Sequence, residues 1–400
     1  MTGKSQEGWQ AKAPAPQEGK PSRTKVGQTL SSVNLRVGFY SPLPPSPTGV
    51  ADYAASLLAE LRRHGAVEVS PATCDVALYH LGNNPLHAAI YARSLETPGV
   101  VVLHDAVLNH FLLGTLDQPA YIEEFVYNYG EWSRSLAASL WRERASSSSD
   151  RRYFDYPMLK RIAERSRAVV VHNPAAAAMV REHTARARIV EIPHLFATPG
   201  LPGPAQAIRY RQTLGIEPGA FLFGLFGYLR ESKRLPTVLD AFAALHREYP
   251  RTALLVAGQF VSSDLERAVQ PLLSGSGVFR RPHLLEREFW LAATAVDACI
   301  NLRYPAAGET SGIAIRFMGI GKPVLLTDGL ECSRFPDDAC LRIAPGPSEF
   351  DSLLAHMILL TSMRDVADTI GQRGAGYIQS SHRVEQIGTQ YWQLLCEFGA

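Results

Sequence analysis

The chain has 400 residues, and because a single hydrophobic core stops growing at roughly 250–300 residues, two domains are expected. Hydrophobic residues make up 46 % and charged residues 20 %, which places the chain among ordinary globular proteins. A formal charge of +2 lacks the strong basic excess of a nucleic-acid binder.

The five cysteines, Cys74, Cys299, Cys332, Cys340 and Cys396, form no CxxC pair, and no histidines stand at zinc spacing. Neither a metal site nor a disulfide framework is therefore expected, and free thiols in a reducing compartment are. The first residues lack a charged-then-apolar leader, and no apolar run approaches the roughly 20 residues that span a bilayer. The expectation is a cytoplasmic protein, with peripheral contact to the inner face of the cell membrane left open.

Residues 1–34 are rich in Gly, Pro, Ser, Gln and Lys without apolar periodicity, the composition of a disordered tail. Order is expected from Leu35 to Tyr40, a short strand that runs into the Pro-rich turn Ser41–Gly49. A helix follows, with Ala51, Ala54, Leu57, Leu58 and Leu61 on one face. Further strands are expected at Val67–Ser70, Asp75–Tyr79, Val100–Leu103, Ala168–Val171 and Ile189–Ile192. Helical stretches separate them, so the sheet should be mostly parallel. From about Gln118 to Arg165 the chain is longer than one crossover needs, and a basic-leaning helix at Trp132–Arg144 reads as a solvated insertion or an acceptor- or membrane-facing surface.

The Pro/Gly-dense segment Ala197–Pro204 is the expected domain boundary. A second series of strands is expected at Phe221–Phe226, Thr252–Ala257, Val278–Phe279, Ala295–Ile300, Pro323–Leu326 and Cys340–Ile343. A last amphipathic helix spans about Arg383–Phe398. Open parallel sheets bind ligands beyond the carboxyl ends of their strands, so the candidate residues are those just after each strand.

The first constellation is Asn301–Val324. A loop after the strand delivers Glu309, Thr310 and Ser311 can cap a helix beginning near Gly312, and the free N–H groups at that helix start, including Ile313, suit a phosphate or sugar hydroxyl. The second is Phe221–Arg234, where a strand ends at Gly227 and Arg230, Lys233 and Arg234 follow. A Gly at such a turn lets a diphosphate approach the backbone, and a nearby Lys supplies charge. The third is the Tyr40–Tyr53 loop with Gly49 before a helix. The fourth is Val101–Asp105, where His104 leaves a strand end and Asp105 is placed to orient its ring. His80, Asn83, His172, Asn173 and His194 also end strand candidates.

In these residues the sequence resembles the retaining glycosyltransferases of family 4, which have the GT-B fold. Glu309 and Gly321-Lys322-Pro323-Val324 stand where that family has its Glu and the approach to the next strand; its second Glu falls on Arg316 or Phe317. Lys233 matches the family's diphosphate-binding Lys, whereas the Arg position is Tyr228, with Arg230 as the candidate substitute. The resemblance implies an α/β protein of two Rossmann-like domains with mostly parallel sheets facing across a cleft. These are an acceptor-side domain at residues 35–200, joined by the terminal helix at about 383–400, and a nucleotide-sugar-binding domain at residues 205–382. It further implies transfer of a sugar from a nucleoside-diphosphate sugar to a glycan, lipid or other hydroxyl acceptor, with no cofactor and no metal. His104 would act at the reacting carbon and Glu309 on the sugar. Gly49, Gly227, Arg230, Lys233, Thr310, Ser311, Gly312 and Ile313 would hold the donor.

Three rivals have their own signatures. A nicotinamide-dependent oxidoreductase needs Gly-x-Gly-x-x-Gly after an early strand, and a Walker-type nucleotidase needs a four-residue gap before Gly-Lys-Ser/Thr; neither is present. The third, a GT-B-shaped protein that binds a nucleotide sugar without transferring it, or a nucleotide-sugar epimerase, has the same fold and is separated only by its chemistry.

Overall fold

Runs such as Val100-Val-Val-Leu103 and Phe221-Leu-Phe-Gly-Leu-Phe226 have no polar face, so they suit strands buried on both sides in a parallel sheet. The computed structural model describes residues 35–399 and places these runs in the interiors of two six-stranded sheets. The tail expected at residues 1–34 lies outside the described residues.

The first sheet contains β1 (Arg36–Tyr40), β2 (Ala66–Val69), β3 (Val76–Leu81), β4 (Val100–Leu103), β5 (Ala168–Val171) and β6 (Ile189–Glu191), in the order β2-β1-β3-β4-β5-β6. The second contains β7 (Phe221–Phe226), β8 (Thr252–Ala257), β9 (Val278–Arg281), β10 (Ala298–Asn301), β11 (Val324–Thr327) and β12 (Leu341–Ile343), in the order β12-β11-β10-β7-β8-β9. Every pairing is parallel. The order reverses between β1 and β3 and again between β7 and β10, and at such switch points the loops diverge and leave a crevice.

Helices cover both faces of each sheet, as an all-parallel sheet requires. In the first lobe, Leu57 of the helix Gly49–Leu61 packs with Phe39, Leu78 and Val102. The insertion is not merely solvated. Its helices Gln118–Tyr129 and Arg134–Arg142 bury Tyr121, Phe125, Ala137 and Leu140 against Tyr79 and Val101 on the other face, while Arg134 pairs with Glu123 and Glu131 outside.

From 197 to 203 the chain forms neither helix nor strand, and a helix begins at Pro204. The C-terminal helix Val384–Cys396 returns to the first lobe. There it buries Ile387, Tyr391, Leu394 and Leu395, with the Tyr53 and Tyr391 hydroxyls 3.0 Å apart. The two interlobe passages run side by side: Phe196 bridges Arg383 in parallel, and its N–H donates to His382 O at 2.6 Å. Among the described residues no helix is long and apolar enough to cross a membrane.

Candidate active site in the interlobe cleft

β7 ends at Phe226, and the backbone turns at Gly227 with φ +92°, a conformation that disfavours any side chain. Lys233 lies in the single 3₁₀ turn Glu231–Lys233, and its side chain folds back so that Nζ donates to Phe226 O. A Cβ added at Gly227 would sit 3.4 Å from Lys233 Nζ and 3.7 Å from Ile313 Cγ1. The loop from β8 supports this turn from below, since a Cβ at Gly258 would meet Gly227 O at 1.9 Å. Burial brings the Lys233 ammonium down to a pKa of about 7, and the positive charges of Arg303 and Arg230 push the same way. Among the described residues no carboxylate pairs with Lys233 or Arg230. An enclosed cation of this kind gains most from an incoming anion.

The helix Gly312–Gly319 approaches the same place. Ser311 caps it, its Oγ accepting from Ala314 N at 3.3 Å, whereas the N–H groups of Gly312 and Ile313 have no hydrogen-bond partner among the described residues. Unpaired N–H groups at a helix start carry the positive end of the helix dipole. The structure thus brings Gly227, Lys233 and Ile313 together, with Gly312 next along the chain. Arg230 is exposed at the rim, its guanidinium 6.0 Å from the Tyr228 ring centroid.

Glu309 is held in a way the sequence did not suggest. Arg303 Nη1 donates to Glu309 Oε1 at 2.5 Å and Ala307 N to Oε2 at 2.7 Å, so both carboxylate oxygens are engaged. Arg303 also donates from Nη2 to Ser311 Oγ at 3.3 Å and from its backbone N to Thr327 Oγ1 at 2.9 Å. The available signal for Arg303 was a basic residue in the same loop as the motif Glu.

Across the cleft, the parallel strands of the first sheet bring four histidines from distant sequence positions to one end. His80 of β3, His104 after β4, His172 after β5 and His194 beyond β6 surround the buried ring of Tyr53. His172 Nδ1 bonds Ile192 O at 2.9 Å and His194 Nδ1 bonds Leu195 O at 2.8 Å. Burial holds all four pKa values below 6.5, to about 4 for His172 and well below for the other three. Among the described residues no three His, Cys, Asp or Glu side chains are arranged to hold a metal ion.

His104 is bonded to His80, not to Asp105: His80 Nδ1 and His104 Nε2 are 3.0 Å apart. The expected orienting role of Asp105 is thereby corrected. Asp105 Oδ2 instead accepts from Asn83 N at 2.8 Å, and burial with the nearby Glu309 charge raises its pKa. His80 Nε2 is buried without a partner. A buried unpaired N–H is rarer than a buried unpaired lone pair, so the proton of neutral His80 belongs on Nδ1. His104 Nε2 then accepts, and its own proton sits on Nδ1, free to donate to a ligand.

The two lobes meet around this cleft. Ala106 N donates to Ala307 O at 2.8 Å, and Asn173 Nδ2 reaches Gly308 O and Thr310 Oγ1, both at 2.9 Å. Tyr228 donates to Pro47 O at 3.0 Å, which seats the loop before Gly49 against the second lobe. Gly49 itself starts its helix at an exposed position. Arg316 pairs with Asp52 across the gap at 2.9 Å.

No protein-family model and no curated protein matches the chain. Among solved structures it is similar to the sucrose-phosphate synthase of Thermosynechococcus elongatus, with a TM-score of 0.65 and 16 % identity over 91 % of this chain and 98 % of that one. It is also similar to Anabaena HepE solved with UDP-glucose, at 0.60 and 16 % over 91 % and 100 %. A third is WaaG, a glycosyltransferase of lipopolysaccharide biosynthesis, at 0.61 and 16 % over 90 % and 99 %. At these identities the likeness is one of architecture, and the chain has the two-sheet GT-B fold.

Proposed function

We propose that this chain is a retaining glycosyltransferase that moves a sugar from a nucleoside-diphosphate sugar to a hydroxyl acceptor, a glycan or a lipid-linked molecule. The observation that carries this reading is the convergence of Gly227, Lys233 and the unpaired N–H groups of Gly312 and Ile313 at the switch point of the second sheet. Backbone donors, one enclosed cation and room beside a glycine suit a diphosphate. That HepE, with the same fold, was solved with UDP-glucose supports the choice of donor class.

In this reading the diphosphate leaves as the sugar's anomeric carbon gains positive character. Lys233, Arg230 and the start of the helix Gly312–Gly319 stabilise the charge that develops on the phosphate. Glu309, oriented by Arg303 and Ala307 N, accepts sugar hydroxyls on its remaining lone pairs. His104 donates from Nδ1 to an oxygen at the reacting centre. These groups are fixed before substrate arrives, so little reorganisation is needed at the moment of reaction.

Arg316 favours one alternative. It is one of the two residues, with Phe317, on which the second Glu of the resembled family falls, a Glu that holds the nucleotide ribose there, and it is tied to Asp52, which fits a protein that binds a nucleotide sugar without transferring it. A thermal-shift panel of UDP, GDP, ADP and NAD on the wild type and Lys233→Ala tests the site. A ligand at 100 times its Kd adds about 2.7 kcal/mol of stability. A shift with one nucleoside diphosphate that Lys233→Ala abolishes is expected; a shift with NAD alone overturns the proposal. Release of free or transferred sugar from the matching donor separates transferase from binder.

A further inference from the structure

Arg234 has left-handed backbone, with φ +57° and ψ +32°, between the 3₁₀ turn Glu231–Lys233 and the helix Leu235–Glu248. Its two neighbours explain why. Lys233 is 6 % exposed and turns its side chain back to Phe226 O, whereas Leu235 is fully buried in the core with Leu229, Val238 and Leu353. A single residue has to redirect the chain between the cradle and that core, and a left-handed step does so.

Glycine takes this conformation freely, and a residue with a Cβ is strained in it. Arginine is a poor occupant on a second count. It stands at the N-terminus of a helix, the positive end of the dipole, where a cation is disfavoured. Strained residues of this kind persist only where their surroundings over-determine them, and they gather at functional sites.

Glu349 is what holds Arg234. Arg234 Nε donates to Glu349 Oε1 at 2.7 Å. Glu349 opens the helix Glu349–Ser362, whose Leu353, Met357 and Leu360 belong to the same core as Val238, Leu239 and Phe242. The packing of two helices therefore fixes where the carboxylate sits. Glu349 is 2 % exposed and its Oε2 has no hydrogen-bond partner. A carboxylate so far from water depends on its one cation. Strain at residue 234 and burial at residue 349 are thus offset by the same ion pair.

We propose that the Arg234–Glu349 ion pair positions Lys233: it holds residue 234 in its left-handed conformation and thereby keeps the Lys233 ammonium at Gly227. That the ammonium meets a donor diphosphate rests on the transferase reading; its placement does not.

Carbon-13 NMR of the lysine Cε atoms in the full chain reads that placement without a ligand, the Lys233 resonance being the one absent from Lys233→Ala. In the wild type it should titrate near pH 7. In Glu349→Leu, where Arg234 stays strained without its partner, the midpoint should move up toward the ordinary lysine value of about 10 as the side chain leaves the cradle. That variant should also bind about tenfold more weakly whichever of UDP, GDP and ADP stabilises the wild type. Glu349→Gln keeps an acceptor for Arg234 Nε at the same volume, and its affinity should stay within about twofold of wild type.

Two double variants separate backbone conformation from a general loss of stability. Arg234→Gly combined with Glu349→Leu lets residue 234 turn left-handed without strain, and should restore the Lys233 titration and bring affinity within about twofold of wild type. Arg234→Ala combined with Glu349→Leu is equally free of unpaired charge but strained, and should restore neither. A wild-type titration in Glu349→Leu, or equal behaviour of the two double variants, overturns the proposal. Because neither double variant buries an unpaired charge, their comparison stands even where Glu349→Leu does not fold. If none of the three nucleotides binds the wild type, the transferase reading fails and the titrations alone decide the role of the ion pair.

Discussion

His80 Nδ1 and His104 Nε2 lie 3.0 Å apart, two imidazoles from adjacent strands bonded ring to ring. The bond gives His80 an indirect role, that of fixing which nitrogen of His104 carries the proton. His80→Phe keeps an aromatic ring in place but removes the donor. Its kcat should fall about fivefold, the equivalent of one hydrogen bond of ~1 kcal/mol, with little change in donor KM. His80→Asn, whose amide can still donate, should recover most of that loss. Nitrogen-15 NMR of the wild type should find His104 protonated at Nδ1, and protonation at Nε2 would sink the assignment.

Stability should decline as pH falls from 6.5 towards 4. Eight histidines have pKa values lowered in the fold, each with burial as the first cause: His80, His87, His104, His110, His172, His183, His194 and His382. In the unfolded chain they titrate near 6.5, so in this window the unfolded state binds more protons and gains on the native one. Each contributes a slope of up to about 1.4 kcal/mol per pH unit. Asp105, Glu124 and Glu331 are raised and act in the opposite sense, but they are three against eight. A melting temperature that stays flat across the window would refute a neutral, buried cluster.

Binding of a nucleoside diphosphate should take up a proton above pH 7. Free Lys233 has a pKa of about 7, and a bound anion raises it. Between pH 7 and that higher value the complex carries a proton the free protein lacks, so affinity falls up to about tenfold per pH unit. Calorimetry in two buffers of different ionisation enthalpy measures the proton directly. Equal heats in both buffers at pH 8 would show that Lys233 is already charged.

Gly258→Ala should damage the cradle without touching a ligand. Its Cβ would be placed 1.9 Å from Gly227 O, so the Gly227 turn must move, at a cost of about 1–3 kcal/mol and with loss of the nucleotide-induced shift. Gly49→Ala is the matched control, since its Cβ would meet nothing within 4 Å. Its stability should stay within about 0.5 kcal/mol of wild type, so a loss of activity there reports contact with substrate.

The strands were the most legible part of the sequence. Val100–Leu103, Ala168–Val171, Phe221–Phe226 and Thr252–Ala257 are bounded by polar, Gly or Pro residues, and burial on both faces leaves them no other state. β10 shows the limit. The apolar run beginning at Ala295 reads as one strand, but Ala295 closes the helix Glu286–Ala295 and the strand starts at Ala298. Hydrophobicity alone cannot divide a buried helix end from a buried strand.

At the candidate site, Gly227 was visible because it directly follows a strand, and Lys233 and Glu309 because each lies in the loop beyond one. The His80–His104 bond was not, since only the pairing of β3 with β4 makes residues 24 positions apart neighbours.

The paired passages at Phe196 and Arg383 give the molecule a spine. Two segments of the one chain cross side by side at this place, as the binding of a book holds its two covers. His382 belongs to that spine: its backbone O accepts from Phe196 N, and its Nδ1 bonds His194 O at 2.5 Å. The binding of the book is thus stitched directly to the histidines that face its pages.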